Sequence, residues 1–116
     1  MRAQQEKRAD TSPKLRRRAE FTRVYDHGTR YRGRFMTCMA LPNEVGQPRL
    51  GIAASQKIGN AVVRNRAKRL VRELFRSRKP LTGIDMVVIP RREMVNAPWR
   101  NIEAEYRAAL ERFARL

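Results

Sequence analysis

The sequence is poor in the groups with which proteins usually do chemistry. It holds one cysteine, Cys38, and one histidine, His27. A single cysteine excludes an intramolecular disulfide and a thiolate metal cluster, and it fits a reducing compartment. A single histidine excludes paired imidazoles for general acid–base catalysis and a zinc site built from histidines. Acids are scarce as well, with 11 Asp and Glu against 27 Lys and Arg. Asp26, Glu73 and Asp85 fall in no carboxylate cluster of the kind a two-metal site needs. No apolar run approaches the ~18 residues that span a bilayer. The start of the chain, MRAQQEKRADTSPKLRRRAE, has no apolar signal core. These absences lead to the expectation of a cytoplasmic protein without a membrane partner.

What the sequence does have is positive charge. The formal net charge is +16 over 116 residues. A small domain stays dispersed with a net charge of about 2–8, so the excess needs another reason. Self-repulsion opposes compaction, and a polyanion would relieve it while releasing counterions. A nucleic acid is the first partner this implies, and an anionic membrane surface is the second. The length suits one domain, and 41% hydrophobic residues can build its core. Residues 1–13 are polar and mixed in charge, and read as a flexible tail. Residues 14–116 read as a single domain suited to binding a nucleic acid.

Periodicity gives the elements. Lys14 to His27 is expected to be a helix with Leu15, Phe21, Val24 and Tyr25 on its apolar side and Gly28 as a left-handed cap. Arg34 to Leu41 reads as a strand, with Phe35, Thr37, Met39 and Leu41 on one face. Arg49 to Ser55 reads as a second strand, and the short connection favours an antiparallel hairpin between the two. A long helix is expected from Asn60 to Lys79, then a buried strand from Ile84 to Ile89. The last helix is capped by Asn96 and carries a core stripe of Trp99, Ile102, Tyr106, Leu110 and Phe113.

The long helix carries the functional signal. Val63, Ala67, Leu70, Val71 and Leu74 make a core-facing stripe. Asn65, Lys68, Arg69, Arg72 and Arg76 point the other way, and Arg64 and Arg66 flank the stripe near the helix start. Glu73 is the only acid between residues 60 and 79. An exposed helical face normally mixes signs, because i,i+4 pairs of opposite charge support it. Like charges this close repel, and a phosphate backbone turns that cost into binding, with the Arg forks gripping phosphates. The free N–H groups and the dipole at the helix start favour an anion too.

The run KIGNAVVRNRAKR (57–69), followed by Arg72-Glu73 and Phe75-Arg76, closely resembles the RNR segment of the bacterial ribonuclease P protein family. Glu20-Phe21 with Val24, Tyr25 and Gly28 resembles that family's first helix. Arg49-Leu50-Gly51-Ile52 resembles its strand before the segment, and Gly83-Ile84-Asp85 with Val87-Val88-Ile89 its strand after it. Roughly residues 14–113 are covered, in order. Gln56 departs from the family's frequent Lys-Lys, which leaves Lys57 as the single cation there.

The resemblance implies an α/β (α+β) two-layer sandwich, a small sheet with three helices and a left-handed strand–helix–strand crossover. It implies the non-catalytic protein subunit of a ribonucleoprotein endonuclease whose RNA holds the active site and removes the 5′ leader of precursor tRNA. The implied partners are that catalytic RNA and precursor tRNA, with no protein partner required. Mg2+ would be held mainly by the RNA. Lys57, Arg64, Asn65, Arg66, Lys68, Arg69, Arg72 and Arg76 would meet the RNA subunit. Phe21, Tyr25, Phe35, Thr37 and Met39 would form the cleft for the leader. Composition alone leaves a ribosomal or RNA-chaperone protein open, and a protein-only nuclease would need a catalytic set that the sequence does not show.

Overall fold

The computed structural model describes residues 14–116. The tail expected at 1–13 lies outside the described residues. The elements are α1 (Arg18–His27), β1 (Thr29–Arg32), β2 (Met36–Pro42), β3 (Arg49–Ile52), α2 (Ala61–Ser77), β4 (Ile84–Pro90) and α3 (Trp99–Phe113), with short 3₁₀ turns at Gln56–Ile58 and Arg92–Asn96. The fold is α+β, as expected, with three helices and one four-stranded mixed sheet among the described residues.

The sheet order is β1-β2-β4-β3. β2 therefore does not pair with β3 as the expected hairpin. β4 lies between them, antiparallel to β2 with Met39 opposite Val87 and parallel to β3 with Gly51 opposite Val87. The physical reason is burial. All of β4 from Ile84 to Val88 is buried, and such a strand is stable only in the middle of a sheet. The crossover from β3 to β4 runs through α2. β1, which the sequence did not suggest, pairs with β2 along the edge.

Helices cover both faces. Met36, Cys38 and Ala40 of β2 join Met86 and Val88 of β4 in a large core with α2 and α3, to which Val71, Leu74, Ile102, Tyr106 and Phe113 contribute. On the other face Met39 and Val87 pack with Leu15 and with Val24 of α1. Trp99, expected in the core, stands in the first turn of α3 and is 39% exposed.

Local chemistry sets the boundaries. α1 begins later than expected because Lys14 bridges to Leu50 and Leu15 N–H donates to the Leu50 carbonyl at 2.9 Å, which keeps the chain extended there. Glu20 Oε1 then accepts from the N–H groups of Arg16 and Arg17 at 2.8 and 3.0 Å, tying down the orphan donors of the helix start. Gly28 is not left-handed (φ −81°, ψ 162°). Its N–H caps the Val24 carbonyl, and a Cβ would sit 2.5 Å from that oxygen and 2.9 Å from the Ala40 carbonyl. Asn60 caps α2, its Oδ1 accepting from Val63 N–H at 3.0 Å. Asn96 ends a 3₁₀ turn instead of capping α3, which starts after Pro98 with no side-chain cap.

One carboxylate ties α3 to the sheet. Glu105 accepts from the backbone N–H groups of Arg34, Phe35 and Met36 at 2.7, 2.9 and 2.9 Å, fixing the turn from β1 into β2. Phe35 and Met36 are buried, so their N–H groups would have little access to water if Glu105 were lost. Glu105→Ala should cost about 2 kcal/mol in a urea titration, the sum of two stranded buried donors less some relaxation. A cost below about 0.5 kcal/mol, the range of ordinary surface changes, would show the clamp to be dispensable.

Candidate nucleic-acid interface

α2 separates its two kinds of residue cleanly. Ala67, Val71, Leu74 and Phe75 are buried against the sheet. Asn65, Arg66, Arg69, Arg72 and Arg76 are exposed, with Lys68 half-buried at the side of the stripe and Lys57 exposed ahead of the helix. No ion pair among the described residues involves α2, and Glu73 is exposed. These charges are therefore available to a ligand. Arg64 differs. It is half-buried, and its Nη1 donates to the Gly59 carbonyl at 3.1 Å, bracing the loop that enters the helix. Gly59 has φ +147°, a conformation suited to glycine, and a Cβ there would press on Val63 at 2.9 Å.

A second surface lies on the opposite face of the sheet, beside α1. Phe21 packs on Gly51 so closely that a Cβ at residue 51 would lie 2.8 Å from its ring. Tyr25, one turn on, is 39% exposed, with its ring centroid 6.4 Å from that of Phe21 at 56°. Burial raises the Tyr25 phenol above its ordinary pKa, so it stays a neutral hydroxyl. Thr37 lies on this face, half-buried, where its Oγ1 accepts from Arg91 Nη2 at 3.2 Å. Met39 is only 2% exposed, beneath α1, so it supports this surface from below. Phe35 is elsewhere. It belongs to the core under α2 and α3, on the far side of the sheet. The strict alternation that placed it with Thr37 and Met39 fails because β2 starts at Met36, and Phe35 sits in the turn held by Glu105.

Three of the carboxylates have structural duties. Among the described residues no three His, Cys, Asp or Glu side chains are placed to hold a metal ion. Glu20, Asp85 and Glu105 are all engaged by Arg side chains or backbone N–H groups. The Cys38 thiol is fully buried, and burial, helped by the nearby Glu105 charge, pushes its pKa to about 12. No helix among the described residues is long and apolar enough to cross a membrane.

A family model for ribonuclease P matches residues 10–114. The chain belongs to the ribonuclease P protein family. The ribonuclease P protein component of Clostridioides difficile is 31% identical over 101 residues, covering 84% of this chain and 89% of the relative. That of Syntrophus aciditrophicus is 44% identical over 68 residues, 59% of this chain and 57% of the relative. Among solved structures, the ribonuclease P protein of Thermotoga maritima superposes with a TM-score of 0.77 at 30% identity, covering 85% and 96% of the two chains. The Staphylococcus aureus protein gives 0.76 at 30% identity, covering 87% and 94%. As a ribonuclease P protein component, the chain partners an RNA subunit and serves an endoribonuclease that removes tRNA 5′ leaders.

The structure adds residues to the α1-side surface that the sequence did not single out. Ile89 and Ala53 are half-buried on the same face as Met39 and Val87. The alternation Asp85, Val87, Ile89 along β4 carried that signal, but only the pairing of Thr37 with Ile89 places it beside β2. Arg91 could not be found by pattern. Its Nε donates to the Gly33 carbonyl at 3.0 Å, a link between distant parts of the chain.

Proposed function

We propose that the exposed face of α2 is where the RNA subunit docks, and that the groove between α1 and the sheet holds the single-stranded 5′ leader of precursor tRNA. The observation that carries the first part is the row of Arg66, Arg69, Arg72 and Arg76, exposed and without an acidic partner among the described residues. A row like this suits the closely spaced phosphates of a folded RNA. The second part is supported by Phe21 and Tyr25, on which unpaired bases can stack, by Arg23 of the same helix, and by Arg91, which bonds Thr37 on this face of the sheet. Chemistry stays with the RNA. In this reading Mg2+ is held mainly by the RNA, and the protein's positive charge raises its effective affinity. The reading places the protein in the cytoplasm, where precursor tRNA is processed, and requires no protein partner.

By holding a leader that only the precursor has, the protein would bind precursor more tightly than mature tRNA, and mature product would leave. The test is precursor cleavage by the matching catalytic RNA at low Mg2+, with and without the protein, across a series of leader lengths. Stimulation that grows with leader length until the groove is filled is the expected result. An RNA that is active at high Mg2+ yet gains nothing from the protein would overturn the proposal.

Tyr25→Ala isolates the groove. Tyr25 is exposed, so its loss should leave the fold intact. Precursor binding by the holoenzyme should weaken by about 1–2 kcal/mol, one lost stacking contact, while mature tRNA binding stays unchanged. Equal weakening of both would remove Tyr25 from the leader site.

A further inference from the structure

Past the C-terminal end of α2, the turn through Pro80 and Leu81 and the last turns of α3 line an open cavity of about 230 Å³. Ile84, Leu110 and Phe113 form its apolar wall, and Ile84 and Phe113, 1% exposed, belong to the main core. Tyr106 Oη donates to the Arg78 carbonyl at 2.7 Å and pins the start of the turn. Leu81 also lines the cavity and is 96% exposed, an aliphatic side chain left standing in water. The rim carries Arg78, Lys79 and Arg107, with Glu111 as its one acid. Arg78 and Lys79 join no ion pair among the described residues, and Arg107 reaches only Glu103, at 3.9 Å.

We propose that this cavity receives one unpaired base of the RNA subunit, with its flanking phosphates held by Arg78, Lys79 and Arg107. The inference rests on the α2 face being the RNA-binding face. Size favours a single ring system, since the cavity falls below the roughly 300–1,000 Å³ typical of sites for larger ligands. An apolar floor inside a cationic rim suits a nucleotide, whose base is flat and apolar on its faces and whose phosphates are anionic. Position favours the same RNA. Arg72 and Arg76 stand one turn apart on the exposed side of α2 and lead to Arg78 and Lys79 at the mouth. A bound base would also take Leu81 out of water.

Photocrosslinking tests the assignment in the assembled holoenzyme. Leu81→Cys supplies a single reactive thiol for a benzophenone label, because Cys38 is buried and its thiol does not ionise near neutral pH. The same label at Glu73→Cys reports on the α2 face. The Leu81 label is expected to crosslink to one unpaired nucleotide of the RNA subunit, and Leu81→Asp to lower RNA affinity about tenfold with unchanged thermal melting. Crosslinks from residue 73 with none from residue 81, or only to paired nucleotides, would overturn the cavity assignment and leave the α2 interface standing. So would an unchanged affinity in Leu81→Asp. No crosslink from either position would overturn both.

Discussion

Arg69→Ala combined with Arg72→Ala should lower affinity for the RNA subunit by roughly fiftyfold at about 0.1 M salt. The figure follows from counterion release. Each phosphate contact contributes close to one unit to the slope of log affinity against log salt, so two lost contacts flatten that slope by about 2. Both side chains are exposed and neither joins an ion pair among the described residues. Their removal therefore leaves nothing unpaired inside the protein. Alanine is also the better helix former, and two fewer like charges on one face relieve repulsion. The double variant should melt at the same temperature as the parent or slightly higher while binding far more weakly. That opposite movement separates a binding defect from a folding defect. An unchanged salt slope would mean that the face is simply solvated and that the RNA docks elsewhere. Arg64→Ala is a poorer probe of the same face, because Arg64 also braces the Gly59 carbonyl and its loss disturbs the entry to α2.

The difference between α2 and the rest shows what a sequence can carry. α2 was legible because its apolar and cationic residues each repeat at the helical period, so one stretch specifies both the buried side and the exposed side. Its start at Asn60 is a local feature as well, while its end falls at Ser77, two residues before the expected Lys79. The strands were legible as strands but not as neighbours. β2 and β3 are adjacent in the chain, and the place between them is taken by β4, whose claim comes from burial on both faces and not from nearness in sequence. β1 carries little apolar signal because Thr29–Arg32 alternates Thr and Tyr with two Arg, as suits an edge. Phe35 was assigned to the wrong face because a carboxylate some 70 residues away holds its turn. The Arg91 contacts and the cavity beneath Leu81 are likewise products of the tertiary structure. Sequence alone supplied their residue types but not their meeting.

Asp85→Ala should destabilise the protein by about 2–3 kcal/mol, less than the roughly 3–5 kcal/mol of a fully buried ion pair, because Arg49 is 23% exposed and keeps Glu20 at 3.6 Å. Asp85 is 1% exposed. Arg49 grips it with two parallel hydrogen bonds, Nε to Oδ1 and Nη2 to Oδ2, both 2.8 Å. Asn43 Nδ2 adds a third bond at 2.8 Å, and Arg23 lies 3.9 Å away. Burial alone would raise the pKa of this carboxyl. The bonds from Arg49 and Asn43, with the charges of Arg49 and Arg23, outweigh burial and hold it below the ordinary 3.8. Glu20, 3.6 Å from Arg49, is also lowered from its ordinary 4.5, chiefly by the backbone N–H groups of Arg17 and Arg16. Both groups bind protons more weakly in the folded state than in the unfolded one. Their contribution is therefore complete above about pH 5 and is lost as pH falls through 4 toward their folded values. Acid also strips negative charge from a protein already at +16, so self-repulsion acts in the same direction. Urea titrations at pH 7 and pH 3.5 should show a large loss of stability in the parent. Asp85→Asn, which keeps the shape and removes the charge, should start lower at pH 7 and lose less on acidification. An equal pH dependence in the two proteins would mean that the Arg49–Asp85 pair does not set the acid limit, leaving Glu20 and the overall charge as its cause.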